Sequence, residues 1–181
     1  ELPELNDELA KDLGEYDSLE DLKAKLKEEM AAARERSNAD AVRKAATAKL
    51  VEESDFEVPE VLVEERVKER LDGLARRFKA QGIDPSHANI DWGKVREEML
   101  QDATNEVKAR LLFDEIARVE NLEIGDEEIK NEIQAIADSL QQPVEKVGQF
   151  FSKPEQRLGL RDDLLRRKAL QIVVTSATVN G

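Results

Sequence analysis

Few residues in this chain could do covalent or acid–base chemistry. Cysteine is absent, which excludes disulfides, thiolate nucleophiles and thiolate metal ligands. The one histidine, His87, lies in QGIDPSHANID, a stretch dense in Gly, Asp, Pro, Ser and Asn where no spacing identifies a Ser or Asp partner. It reads as a solvated loop residue. Asp and Glu total 41, too many for any pair to stand out as an acid/base couple, and they read as solvated helix faces. HExxH, GxxxxGK[ST], GxGxxG and EF-hand patterns are all missing, so neither metal nor cofactor is expected. Arg76-Arg77 and Arg166-Arg167-Lys168 lack interleaved aromatics and read as partners for acids on neighbouring helix surfaces.

The chemistry left is apolar. Leu111, Leu112, Phe113 and Ile116 cover more than half a helix circumference, so one buried face cannot take them all. Phe150-Phe151 and Ile172-Val173-Val174 pose the same problem. Such residues are either wedged between elements or exposed as binding surface. The set expected to form an adaptable binding surface is Phe78, Met99, Leu112, Phe113, Phe150, Phe151 and Val173. Met99 suits it because a flexible thioether side chain adapts to different partners.

Composition narrows the partners. Charged residues make up 38% and aromatics only 4%, which favours an extended helical body over a thick core. The formal charge of −13 argues against nucleic acid and anionic membrane surfaces and favours basic clients. No apolar run approaches the roughly 18 residues of a membrane span. The chain opens on Glu1 without Met or a signal-type apolar region, as expected of a piece cut from a longer protein.

The elements that must carry these residues are helices. Asn6 caps a short helix ending before Gly14, and Ser18 with Asp21 forms a capping pattern opening one helix over residues 18 to 53, roughly 50 Å long. In this strut Leu19, Leu22, Leu26 and Met30 are expected to form one buried stripe, and Val42, Ala46 and Leu50 resume it beyond a thin waist at 31–41. Further helices are expected over 59–80, 92–120, 126–140 and 143–151, with a short one opened by Pro154 and a last one from about residue 158 or 161 to 174. An offset of 66 residues lays Leu50, Phe56, Glu57, Val58, Pro59, Val63 and Val67 on Ile116, Leu122, Glu123, Ile124, Gly125, Ile129 and Ile133. Each unit is a long helix, an apolar–acid–apolar link and a returning helix. A fainter third link is Ala177-Thr178-Val179. The expectation is all-α: a single domain over 1–181, with an opening segment and short helix at 1–17, the strut at 18–53, a first arm region at 54–121, and a second arm region with a return helix at 122–181.

The segments ELPELNDELAKDLG, DFEVPEVLVEERVKERLDGLARRF, ARLLFDEIARVENLEIGDEEI and FFSKPEQRLGLRDDLLRRKAL, in that order, resemble the C-terminal substrate-binding domain of the trigger factor family, bacterial ribosome-associated chaperones. The resemblance covers nearly the whole chain, and it is the order of the segments that makes it specific. It implies an elongated all-α domain whose two arms form a cradle for unfolded or nascent polypeptide, without ATP, in the bacterial cytoplasm. It also implies a ribosome-binding domain with a GFRxGxxP-type loop and an FKBP-like prolyl isomerase in the full-length family. These 181 residues contain no GFR and no strand-alternating region large enough for an isomerase barrel, so no enzyme activity or ribosome contact is expected of them. Weak self-association is compatible with this reading. The helical core of periplasmic parvulin-type chaperones is similar in architecture, and a structural adaptor that binds one folded partner is the alternative of a different class.

Overall fold

A computed structural model describes residues 6–14, 16–84 and 90–177. The opening ELPEL, His87 and the third link at Thr178-Val179 lie outside the described residues. Among the described residues the regular structure is entirely helical, in the order α1 (Asp7–Leu13), α2 (Leu19–Glu53), α3 (Glu60–Ala80), α4 (Trp92–Val119), α5 (Asp126–Leu140), α6 (Val144–Phe150) and α7 (Pro154–Ser176).

The helix starts follow local chemistry. Asn6 Oδ1 accepts from the Leu9 N–H at 3.0 Å, Ser18 Oγ from Asp21 at 3.1 Å, and Asp91 Oδ1 from Lys94 at 3.1 Å, each satisfying a donor the helix leaves unpaired. At α5 the roles reverse, because Gly125 offers no side chain. Its N–H instead donates to the Glu128 carboxylate at 3.1 Å. One boundary departs from expectation: the two helices expected after Lys153 are one helix, α7. Pro154 occupies its first turn, where the missing N–H costs nothing, and exposed Gly159 is absorbed without a break.

The chain divides into two units, one ending at Ala45 and one running from Ala46 onward. In the first, Ala10 of α1 is fully buried and Leu22 of α2 is 8% exposed. The Leu19 N–H donates to Asp7 at 2.8 Å, and the Lys25 ammonium lies 5.2 Å from the Tyr16 ring centre. The buried stripe expected along α2 stops at Leu22. Leu26 and Met30 are 43% and 72% exposed, because no described element covers α2 there, and every residue from 23 to 41 is exposed.

The second unit is built around α4, which packs against both α3 and α7. Val63, Val67 and Ala103 form the α3–α4 core, with Val58 and Leu71 packed against it. Ala109, Phe113 and Ala117 meet Ala169 of α7, and Leu50, Val51, Ile116, Leu122 and Val173 close that core. Ile124, Ile129, Leu160 and Leu164 form the third, with Ile133, Ile136 and Phe151 around it. The 66-residue correspondence reappears as packing. Leu50 and Ile116 both rest on the Phe113 core, and Pro59 and Gly125 are both N-caps. Val58 sits with Val63 and Val67 as Ile124 sits with Ile129 and Ile133.

Candidate functional site

The expected apolar set is not gathered on one surface. Phe113 is 8% exposed and belongs to the α4–α7 core, so the reading of it as surface is corrected. Of the four apolar residues at 111–116, Phe113 and Ile116 share the α4–α7 core, while Leu111 and Leu112 are half-buried outside the three cores. Val173 packs on that core and Phe151 on the Ile129–Leu164 core, both partly buried. Phe78, Met99 and Leu112 are half-buried and belong to none of the three cores.

Phe150 differs from its neighbour. It is 54% exposed at the end of α6, and its ring meets Phe151 edge to face, with centroids 5.1 Å apart and planes at 87°. The anchored ring thereby fixes the exposed one, an arrangement favoured by the aromatic quadrupole. Other large apolar side chains, absent from the expected set, are equally open: Val61 at 70%, Leu140 at 60%, Leu158 at 59% and Val119 at 57%. Val61 carries a signal in the sequence, a position off the stripe of Val63, Val67 and Leu71, whereas Leu140 continues the spacing of Ile133, Ile136 and Ala137 and is open as the last residue of α5. Phe56, in the first link, is covered on one face by the Lys108 ammonium, 5.3 Å from the ring centre.

Charge surrounds these side chains. No polar or charged side chain is buried among the described residues, and none is left buried without a hydrogen bond. The basic cluster on α7 pairs as expected. Arg166 donates to Asp114 at 2.6 Å and Asp163 at 3.0 Å, and Arg167 grips both oxygens of Glu132 at 2.8 and 2.9 Å. Lys168 meets Glu128 at 2.7 Å and the Glu123 carbonyl at 2.8 Å. The Lys168 ammonium, and then the Gly125 N–H, hold the Glu128 carboxyl below the usual carboxylate range. The other expected cluster behaves differently: Arg76 and Arg77 form no ion pair among the described residues.

No group of His, Asp or Glu among the described residues could hold a metal ion, and no described helix is long and apolar enough to cross a membrane. What this geometry offers is several large apolar side chains left exposed on a charged helical body.

Comparison with known proteins agrees in one direction. The family model of the bacterial trigger factor protein C-terminus matches residues 18–175. Trigger factors from Desulforamulus reducens and Geotalea daltonii are 33% and 34% identical over 99% of this chain, which spans 42% and 41% of their lengths. A trigger factor from Solibacter usitatus is 35% identical over 84% of the chain. The chain thus spans about two fifths of the curated relatives it matches. Among solved structures, trigger factor domains from Thermotoga maritima share the fold with a TM-score of 0.60 at 21% identity, covering 77% of this chain and 83% of that one. A trigger factor chaperone structure concerned with promiscuous substrate recognition gives 0.57 at 25% identity, over 97% of this chain and 43% of that one.

Proposed function

The chain belongs to the trigger factor family, matching its C-terminal region, and from that premise we propose that it binds unfolded or nascent polypeptides without ATP and shields their apolar segments while they fold. The observation that carries this reading is Phe150, a large aromatic side chain held open by its packed neighbour on a chain of net charge −13. Exposed apolar side chains supply contacts that tolerate many client sequences, and the surrounding charge keeps the free protein dispersed and favours clients carrying basic residues. Each contact contributes little alone, because a mobile client buries it only in part.

In this reading Phe78, Met99, Leu112, Phe150, Phe151 and Val173 contact clients, with Phe150 foremost, and Phe113 serves as the framework beneath. Regions 54–121 and 122–181 act as the two gripping arms. Prolyl isomerase activity and ribosome binding belong to other parts of the family's longer chains, and the setting is the bacterial cytoplasm.

The test compares two variants. Phe150→Ser should leave the melting temperature unchanged and measurably weaken suppression of aggregation of several unrelated denatured proteins, most clearly when combined with Leu158→Ser. Phe113→Ser should destabilise the fold instead. Full protection by the Phe150/Leu158 double variant would overturn the assignment. An adaptor for one folded partner is distinguished by promiscuity, since it would protect none of the unrelated clients.

A further inference from the structure

The two links that correspond across the 66-residue offset are finished differently. In the second, Leu122 rests on the Phe113 core and Ile124 is buried. The Leu122 N–H donates to the Ala117 carbonyl at 2.9 Å, and the Lys168 ammonium donates to the Glu123 carbonyl at 2.8 Å. The first link has none of these closures. Residues 54–59 run between α2 and α3 without turn or bend, and Pro59 holds Val58 before it to extended backbone. Among the described residues, the N–H groups of Asp55, Phe56, Glu57 and Val58 donate to nothing and their carbonyls accept from nothing. Asp55, Phe56 and Glu57 are exposed, so this backbone is open rather than buried and orphaned.

Such a segment presents an unpaired strand edge. A strand offers its N–H and C=O groups alternately to two sides, so a second strand added on one side meets two of the four residues and makes up to about four backbone hydrogen bonds. Side-chain direction is already set. Val58 packs against the α3–α4 core and the Phe56 ring lies by the Lys108 ammonium of α4, so the apolar pair turns toward α4. By alternation Asp55 and Glu57 turn to the opposite face, where neither forms an ion pair among the described residues. Directly past Pro59, a shallow depression of about 460 Å³ lined by Glu60, Val61, Glu64, Glu65 and Lys68 continues the acidic character. Charge therefore selects the occupant: a strand with basic side chains beside Asp55 and Glu57 is matched, and an acidic one is repelled.

We propose that the first link, residues 55–58, is a docking edge on which an extended segment of a client adds as a β-strand, its basic side chains alternating against Asp55 and Glu57. The inference rests on the client reading above and gives it a backbone contact beside the apolar ones. Backbone hydrogen bonds are common to every sequence, so the edge tolerates many clients, provided no proline falls at a pairing position. Asp55 and Glu57 bias that choice by charge.

Amide hydrogen exchange of the intact chain, followed by NMR with and without a soluble peptide of alternating lysine and valine, tests this directly. The amides of 55–58 should exchange fast in the free chain. With peptide, alternate ones should gain protection, either Asp55 and Glu57 or Phe56 and Val58, but not all four. The same peptide N-methylated at every residue keeps its charge and loses its N–H donors, and fluorescence anisotropy should show it binding at least about tenfold more weakly. Asp55→Lys combined with Glu57→Lys should shift the preference to a peptide of alternating glutamate and valine, and circular dichroism melting should show the fold retained, as expected for exposed positions. No protection at 55–58, protection uniform across them, equal binding of the methylated peptide, or an unchanged preference after charge reversal would overturn the proposal. Any of these with aggregation suppression intact would leave the client reading standing, whereas a chain that protects none of the unrelated denatured proteins would overturn both.

Discussion

The two link-and-helix units of the second compact unit use one arrangement with different materials. Around the first link, Val58, Val63, Val67 and Ala103 meet in a core of small side chains, braced by Arg66 and Arg70 reaching across to Glu106 and Asp102. Around the second, isoleucine stands at all three corresponding positions, and Leu160, Leu164 and Phe151 fill the space opposite. The second also has cross-helix ion pairs, Arg167 to Glu132 and Lys168 to Glu128, but over a larger apolar core. The comparison teaches that register and core volume are separable. Alternating link residues and a capped helix start set how each unit folds back, and the size of the side chains sets how firmly it holds.

The largest expected effect is at the core both units share. Phe113→Ala should cost about 3–5 kcal/mol and loosen both units together, because Leu50 and Ile116 rest on the same ring-bearing cluster. Amide exchange that rose in one unit only would break the analogy. Next come the matched positions. Ile129→Ala should cost about 2–5 kcal/mol, whereas Val67→Ala, losing two methylene equivalents from a site 1% exposed, should cost about 1.5–2.5 kcal/mol. Denaturant unfolding measures both, and the reverse order would contradict the account of core volume. Smaller again is Glu106→Gln, which removes the shared acceptor of Arg66 and Arg70. Its cost should stay below about 1 kcal/mol and shrink as salt is raised.

The smallest effect is one of pH. Because the folded Glu128 titrates below its unfolded value, its pairing with Lys168 stabilises the second unit above the ordinary carboxylate range and is lost as pH falls through the depressed value. Wild type and Glu128→Gln should therefore differ in melting temperature near neutral pH and converge in acid. A gap that persisted at low pH would trace the effect to the cap at Gly125 rather than to charge.

Much of this was legible in the residues. Asn6, Ser18 and Asp91 announce helix starts through side chains that bond their own backbone, and all three do so in the structure. The link correspondence was equally readable, since Val58 and Ile124 each precede a cap and a periodic helix. Leu26 and Met30 were not readable in the same way. They continue the spacing of Leu22, yet only Leu22 is covered. The misjudged start of the last helix has a local cause instead: Gly159 resembles a break, but an exposed glycine costs a helix only about 1 kcal/mol.

The sequence by itself determined that the chain is helical, where most helices begin, which residues form a stripe on each, and that no thiol or recognisable catalytic motif is available. Those properties depend on contacts within a turn or two of the chain. Tertiary structure alone decided which stripe is covered, because burial requires a second helix at contact distance and that helix comes from far along the chain. Phe113 is core because α7 places Ala169 and Val173 against it, 56 and 60 residues later in sequence. Phe150 and Phe151 are chemically identical neighbours, but only Phe151 is packed against the Ile129–Leu164 core. The same logic leaves Val61 of α3 open, since α4 covers only the Val63–Val67 side.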